Sequence, residues 1–144
     1  MKKLCMEIIT YGLGKKFDSN KFLAVENVNY HPKPIGGLWG SPIHSSYGWK
    51  EIGEVGRFDT SFVLKISGNI LVIDSKDDLK FMEWREEPRS KSWYPDYIKM
   101  KTNLVDAIYL TRKGELETRS IFQEKNLNGW DCECVFIINP LIIK

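Results

Sequence analysis

A chain of 144 residues that is 42% hydrophobic and 28% charged is expected to fold as a single domain, residues 1–144, with a real core. Its formal net charge of +2 is spread among mixed acids and bases, so electrostatics alone makes no case for nucleic acid. The basic start Met1-Lys2-Lys3 is followed by an apolar stretch that Glu7 interrupts, and no run reaches membrane-span length. A cytoplasmic protein with no membrane partner and no signal peptide is therefore expected.

Leu4 to Tyr11 is β-rich and stops at Gly12-Leu13-Gly14, which reads as a first strand. Asp18-Ser19-Asn20 reads as a turn or cap, and Phe22 to Val28 as a weak strand. His31-Pro32-Lys33-Pro34-Ile35-Gly36-Gly37 is a loop punctuated by two prolines and two glycines, and Leu38 to Pro42 a short strand stopped by proline. Ser45 and Ser46 are N-cap residues for a helix through Tyr47, Trp49, Glu51 and Glu54. Ser61 to Ile66 and Asn69 to Ile73, joined by Ser67-Gly68, predict a hairpin. Ser75 with Asp78 resembles a capping box opening a helix through Leu79, Met82 and Trp84. Residues 85–95 read as a loop, Tyr97 to Thr102 as a helix and Val105 to Thr111 as a strand. Residues 112–128 are charged, with a short helix around Glu117 to Gln123, before a last strand from Trp130 to Asn139. Neither strictly alternating βαβ nor all-β, this order predicts an α+β domain. Its sheet is expected to be mostly antiparallel and split, or two-layered, with short flanking helices.

Alternation along the last strand places Trp130, Cys132, Cys134, Phe136 and Ile138 on one face and Asp131, Glu133, Val135 and Ile137 on the other. Glu133 thus heads a strand that is apolar on both sides. A carboxylate there is either paired or placed for chemistry, because burying it alone is costly. Three cysteines, an odd number, argue against a disulfide framework. Cys132 and Cys134 are too close in sequence for a zinc knuckle or a redox Cys-x-x-Cys pair, and read as core residues. His31 and His44 lack companions at metal-ligand spacing, and no Gly-x-Ser-x-Gly elbow is present. Three aromatic and glycine clusters remain as candidate binding elements: Tyr11-Gly12, Gly36-Gly37 through Trp39 and Ser41, and Tyr47-Gly48-Trp49. Each also reads as ordinary core or turn structure.

Together, Thr10-Tyr11-Gly12, Gly37-Leu38-Trp39-Gly40-Ser41-Pro42, Tyr47-Gly48-Trp49 and Gly129-Trp130-Asp131-Cys132-Glu133 resemble the ADP-ribosyltransferase fold, specifically its small phage and bacterial members. The resemblance implies NAD⁺ as substrate, with Tyr11, Gly12, Trp39, Ser41, Tyr47 and Trp49 around it and Tyr11, Ser41 and Glu133 as catalytic residues. Glu133 would stabilise an oxocarbenium-like transition state as nicotinamide leaves. The acceptor would be a macromolecule, protein or nucleic acid. Tyr11 stands where the family commonly has arginine or histidine, and Asp131 where arginine-modifying members have Gln or Glu. The contrasting expectation is a non-catalytic binding or inhibitor protein of phage or mobile-element type, whose aromatic cleft or surface holds a nucleotide or a partner protein.

Overall fold

The computed structural model describes residues 1–52, 60–119, 121 and 123–144. Among the described residues seven strands are formed: β1 (Lys2–Tyr11), β2 (Leu38–Pro42), β3 (Ser61–Ile73), β4 (Trp84–Glu86), β5 (Trp93–Pro95), β6 (Ala107–Leu110) and β7 (Cys134–Ile137). Three α-helices accompany them: α1 (Trp49–Ile52), α2 (Tyr97–Thr102) and α3 (Arg112–Thr118). Five of the strands close into a barrel in the order β1-β2-β7-β6-β3, while β4 and β5 form a separate two-stranded ribbon. β1 runs antiparallel to β3 along its whole length, from Lys2 opposite Ile70 to Tyr11 opposite Ser61. Its other edge meets β2 only at Ile8 and Ile9. β6 is parallel to the last residues of β3 and antiparallel to β7, which returns to β2.

Period-two alternation fills the barrel. Leu4, Met6 and Ile8 of β1, Leu38 of β2, Phe62, Leu64, Ile66 and Ile70 of β3, Ala107 of β6, and Val135 and Ile137 of β7 form one apolar cluster. Because all five barrel strands contribute, this cluster is the interior, and Ile142 from the following 3₁₀ turn joins it. The alternate residues of the same strands, Leu71, Ile73, Ile108, Leu110, Cys134 and Phe136, belong to a second core outside the barrel. Tyr97 and Met100 of α2, with Met82, Leu127 and Trp130, cover it. β7 is therefore buried on both faces, as its sequence predicts.

The expected split, two-layered sheet is not formed, and with it goes the ADP-ribosyltransferase-like architecture. The physical reason lies at Ser67-Gly68. These residues are not a turn: they sit mid-strand opposite Cys5 and Leu4, and β3 continues unbroken for 13 residues. A Cβ on Gly68 would come within 2.5 Å of Ile142 Cγ2 and 2.8 Å of Asp106 Oδ2, so the glycine admits a close neighbour. A strand this long pairs β1 on one edge and β6 on the other, which closes the sheet.

Smaller differences have similarly local causes. Phe22 to Val28 makes only an isolated bridge, Glu26 with Ile35. Asp18 does cap a 3₁₀ turn (Ser19–Lys21), its Oδ1 accepting Asn20 N–H at 3.0 Å. Asp78 accepts the backbone N–H of Ser75 at 3.1 Å and opens a 3₁₀ helix (Lys76–Phe81), but Trp84 lies beyond it in β4. The expected loop 85–95 holds the β4–β5 hairpin. The helix expected around Glu117 to Gln123 starts earlier, as α3 capped by Thr111; of that segment, Ser120 and Phe122 lie outside the described residues. The helix expected through Glu54 is described only as α1, and Glu54 lies outside the described residues.

Candidate functional site

The residues singled out by sequence separate into two places. Tyr11, Trp39 and Trp49 line a cleft of about 490 Å³, together with Leu13, Lys16, Phe17, Asp18, Lys21, Phe22, Leu23, Gly36, Gly37, Leu38 and Phe62. Ser41, Tyr47 and Glu133 do not line it. Gly12 is adjacent but also outside the lining; its φ of 78° and its N–H donated to Thr60 O at 2.9 Å turn the chain away from β1.

The cleft's walls follow from strand ends and two glycines. Tyr11 and Phe62 lie at the paired ends of β1 and β3. Gly36 and Gly37, with φ of 77° and 70°, bend the loop against the segment before it. A Cβ on Gly36 would be 2.2 Å from Ala24 O, and one on Gly37 2.3 Å from Phe136 Cζ. No side chain fits at either position, which is why this Gly-Gly pair shapes the wall. Gly37 N–H donates to Leu23 O at 2.9 Å, tying the two segments together. Trp39 packs at 4.5 Å from Phe136, 4.9 Å from Trp130 and 5.8 Å from Trp49, ring centroid to centroid. Each such pair contributes about 0.5–1.5 kcal/mol beyond its buried area, which stabilises this wall. The Lys33 ammonium lies 5.9 Å from the Trp39 ring and 5.5 Å from the Trp49 ring, and pairs with Asp131 at 3.4 Å.

At the second place, Glu133 is 8% exposed and its carboxylate is fully engaged. Ser45 Oγ donates to Oε1 and Tyr109 OH donates to Oε2, both at 2.6 Å. Burial first, and then the hydrogen bond to Glu133, push the Tyr109 phenol well above its ordinary value, so it stays a donor. The Glu133 backbone N–H donates to Tyr47 O at 2.9 Å. Ser41 is fully used as well: its hydroxyl donates to Glu133 O at 2.8 Å and accepts Trp49 N–H at 2.9 Å. It ties the start of α1 to the residue before β7. Gly48 is required beside it, because a Cβ there would lie 2.6 Å from Ser41 Oγ. Tyr47 is flanked by cations, with Arg112 4.1 Å over its ring and Arg119 donating to its hydroxyl at 3.4 Å. Both arginines also pair with buried Glu115, each at 2.5 Å.

No family model, curated protein or solved structure matches this chain. Among the described residues, no group of three or more His, Cys, Asp or Glu side chains is gathered to hold a metal ion. No helix among them is long and apolar enough to cross a membrane.

Sequence reasoning missed the partners that hold Glu133 and most of the cleft. Ser45, expected to cap a helix, instead donates its hydroxyl to Glu133 and accepts Tyr47 N–H at 3.2 Å. Tyr109 had a legible signal, since alternation in β6 places it on the same inward face as Ala107. Phe17 and Phe22 also had one: each follows a lysine, in Lys16-Phe17 and Lys21-Phe22, on either side of a polar turn.

Proposed function

We propose that this chain is a ligand-binding module whose cleft takes a flat, ring-bearing small molecule. The observation carrying this reading is the lining itself: five aromatic side chains beyond Tyr11's phenol (Phe17, Phe22, Trp39, Trp49 and Phe62) converge on a recess of about 490 Å³. That volume lies within the range of small-molecule sites, which are characteristically apolar with a few polar groups. Two further recesses are lined largely by charged and polar side chains, with two aromatic residues in one (Trp93 and Tyr94) and one in the other (Trp84). The alternative drawn from the sequence, an NAD⁺-dependent transferase, requires Glu133 beside the substrate. Glu133 lies outside the cleft lining and both its oxygens are taken by Ser45 and Tyr109, so binding without catalysis is the better-supported reading.

The test is a thermal-shift and tryptophan-fluorescence screen with neutral and charged ring compounds, indole and NAD⁺ among them. Trp39 and Trp49 lie in the wall, so an occupant quenches their emission, and a ligand selective for the native state raises the melting temperature. Leu23→Trp fills the cleft from an exposed position and should weaken binding at least tenfold while leaving the fold intact. If no ring compound shifts or quenches the wild type, the reading fails. Release of nicotinamide from NAD⁺ that Glu133→Gln abolishes would restore the transferase.

A further inference from the structure

Three charged side chains line the cleft, Lys16, Asp18 and Lys21, and they are not equivalent. Asp18 is committed to its own turn: Oδ1 accepts Asn20 N–H at 3.0 Å and its carbonyl accepts Lys21 N–H at 3.0 Å. Lys16 and Lys21 form no ion pair with any described residue. Each lysine immediately precedes a cleft phenylalanine, Phe17 or Phe22, and the 3₁₀ turn (Ser19–Lys21) connects the two Lys-Phe pairs. The chain thus repeats one arrangement twice: an aromatic ring in the cleft and a cation next to it in sequence. Phe17 also meets Phe62, with ring centroids 6.5 Å apart, which ties this turn to the end of β3.

The geometry points to an anionic ligand, and we propose that the cleft binds a nucleoside monophosphate. The base packs on the aromatic wall and the phosphate is held by Lys16 and Lys21. This rests on the cleft being a binding site and goes further in naming the ligand's class. A flat ring answers the aromatic lining, for every base has a π-face that stacks on such side chains. A phosphate answers two cations that form no ion pair among the described residues, and with Asp18 also in the lining the charged wall keeps a net positive charge. Lys33 is not part of this subsite, because it is paired with Asp131 and does not line the cleft.

The experiment titrates the purified protein with adenosine, adenosine monophosphate, inorganic phosphate and indole, following tryptophan fluorescence and calorimetry at low and high salt. Adenosine monophosphate should bind about tenfold more tightly than adenosine at low salt, the contribution of two exposed ion contacts. The gap should close as salt screens them. Lys16→Met with Lys21→Met removes two exposed charges, so its melting temperature should be unchanged while its preference for the monophosphate disappears. Equal binding of adenosine and its monophosphate overturns the phosphate subsite but leaves the cleft standing. Binding of indole with neither nucleoside nor nucleotide overturns the nucleotide and again leaves the cleft. Failure of all four probes overturns the proposal. A monophosphate preference that survives in the double variant overturns the assignment to these lysines. An oligoadenylate binding more than tenfold tighter than the monomer overturns the choice of a free mononucleotide.

Discussion

Tyr109→Phe removes one hydroxyl and no packing volume, and it isolates the role of Glu133. In the wild type that hydroxyl satisfies Glu133 Oε2 at 2.6 Å in a site where the glutamate is 8% exposed. A hydrogen bond to a charged group contributes about 1.5–3 kcal/mol, and the loss here leaves a buried oxygen without its donor. An unfolding entropy of roughly 2.1 cal/mol/K per residue gives this 144-residue chain about 300 cal/mol/K, so each kcal/mol corresponds to about 3 °C. Tyr109→Phe should lower the melting temperature by about 5–10 °C in differential scanning calorimetry. Ser45→Ala should act similarly through Oε1, and it also deprives Tyr47 N–H of its acceptor. Combining Tyr109→Phe with Glu133→Gln tests whether the effect runs through the carboxylate, because contacting partners are non-additive by about 0.5–3 kcal/mol. A drop below about 2 °C with additive double-variant behaviour would show that Glu133 is not held by this network.

The same phenol makes stability sensitive to alkali. Tyr109 and Tyr97 both have pKa values raised above 10.0 in the folded state, chiefly by burial, so the folded protein keeps protons that the unfolded chain releases. Their contribution is fully present below about pH 10 and is lost as pH rises above it, with a slope of up to about 1.4 kcal/mol per unit for each group. Tyr109→Phe should flatten that slope in urea titrations between pH 9.5 and 11; an unchanged slope refutes the assignment. Gly37→Ala combines a φ of 70° with a Cβ only 2.3 Å from Phe136 Cζ, and should cost several kcal/mol or prevent folding, whereas Gly14→Ala meets nothing within 4 Å and carries only its backbone strain at φ 98°. Circular dichroism melts of the two variants measure the difference, and similar losses would contradict the packing at Gly37. Thiol titration under native conditions should modify exposed Cys5 alone. Cys132 and Cys134 are buried, and burial raises the Cys134 thiol, so both should react only in denaturant. Rapid native modification of a second thiol would contradict the burial of this strand.

Residues 130–138 show how far local pattern reaches. Their alternation told that both faces of β7 are buried and that Glu133 needs a partner, because period-two geometry and the cost of a lone buried carboxylate are properties of the segment itself. Strands at Leu38–Pro42 and around 107–110, the helix Tyr97–Thr102 and the turn capped by Asp18 were legible for the same reason, each carrying its own signal. What the segment could not carry is the identity of the partner. Ser45 and Tyr109 lie 88 and 24 residues from Glu133, and the pairing of β7 with β2 and β6 brings them to it. Gly68 misled because a glycine required by a distant neighbour, Ile142, looks locally like a glycine required by a turn. Reading it as a turn breaks β3 in two, and the order of elements that results leads to the expectation of a split sheet. Likewise the cleft gathers residues from 11 to 23, 36 to 39, 49 and 62, and it excludes Ser41, two positions from Trp39 on the same face of β2, because the Ser41 hydroxyl is held by Glu133 O and Trp49 N–H. The sequence by itself determined which strands and turns could form and which groups could not be buried alone. Which edges paired, and so which side chains met, was decided by long-range hydrogen bonding and packing that no local window contains.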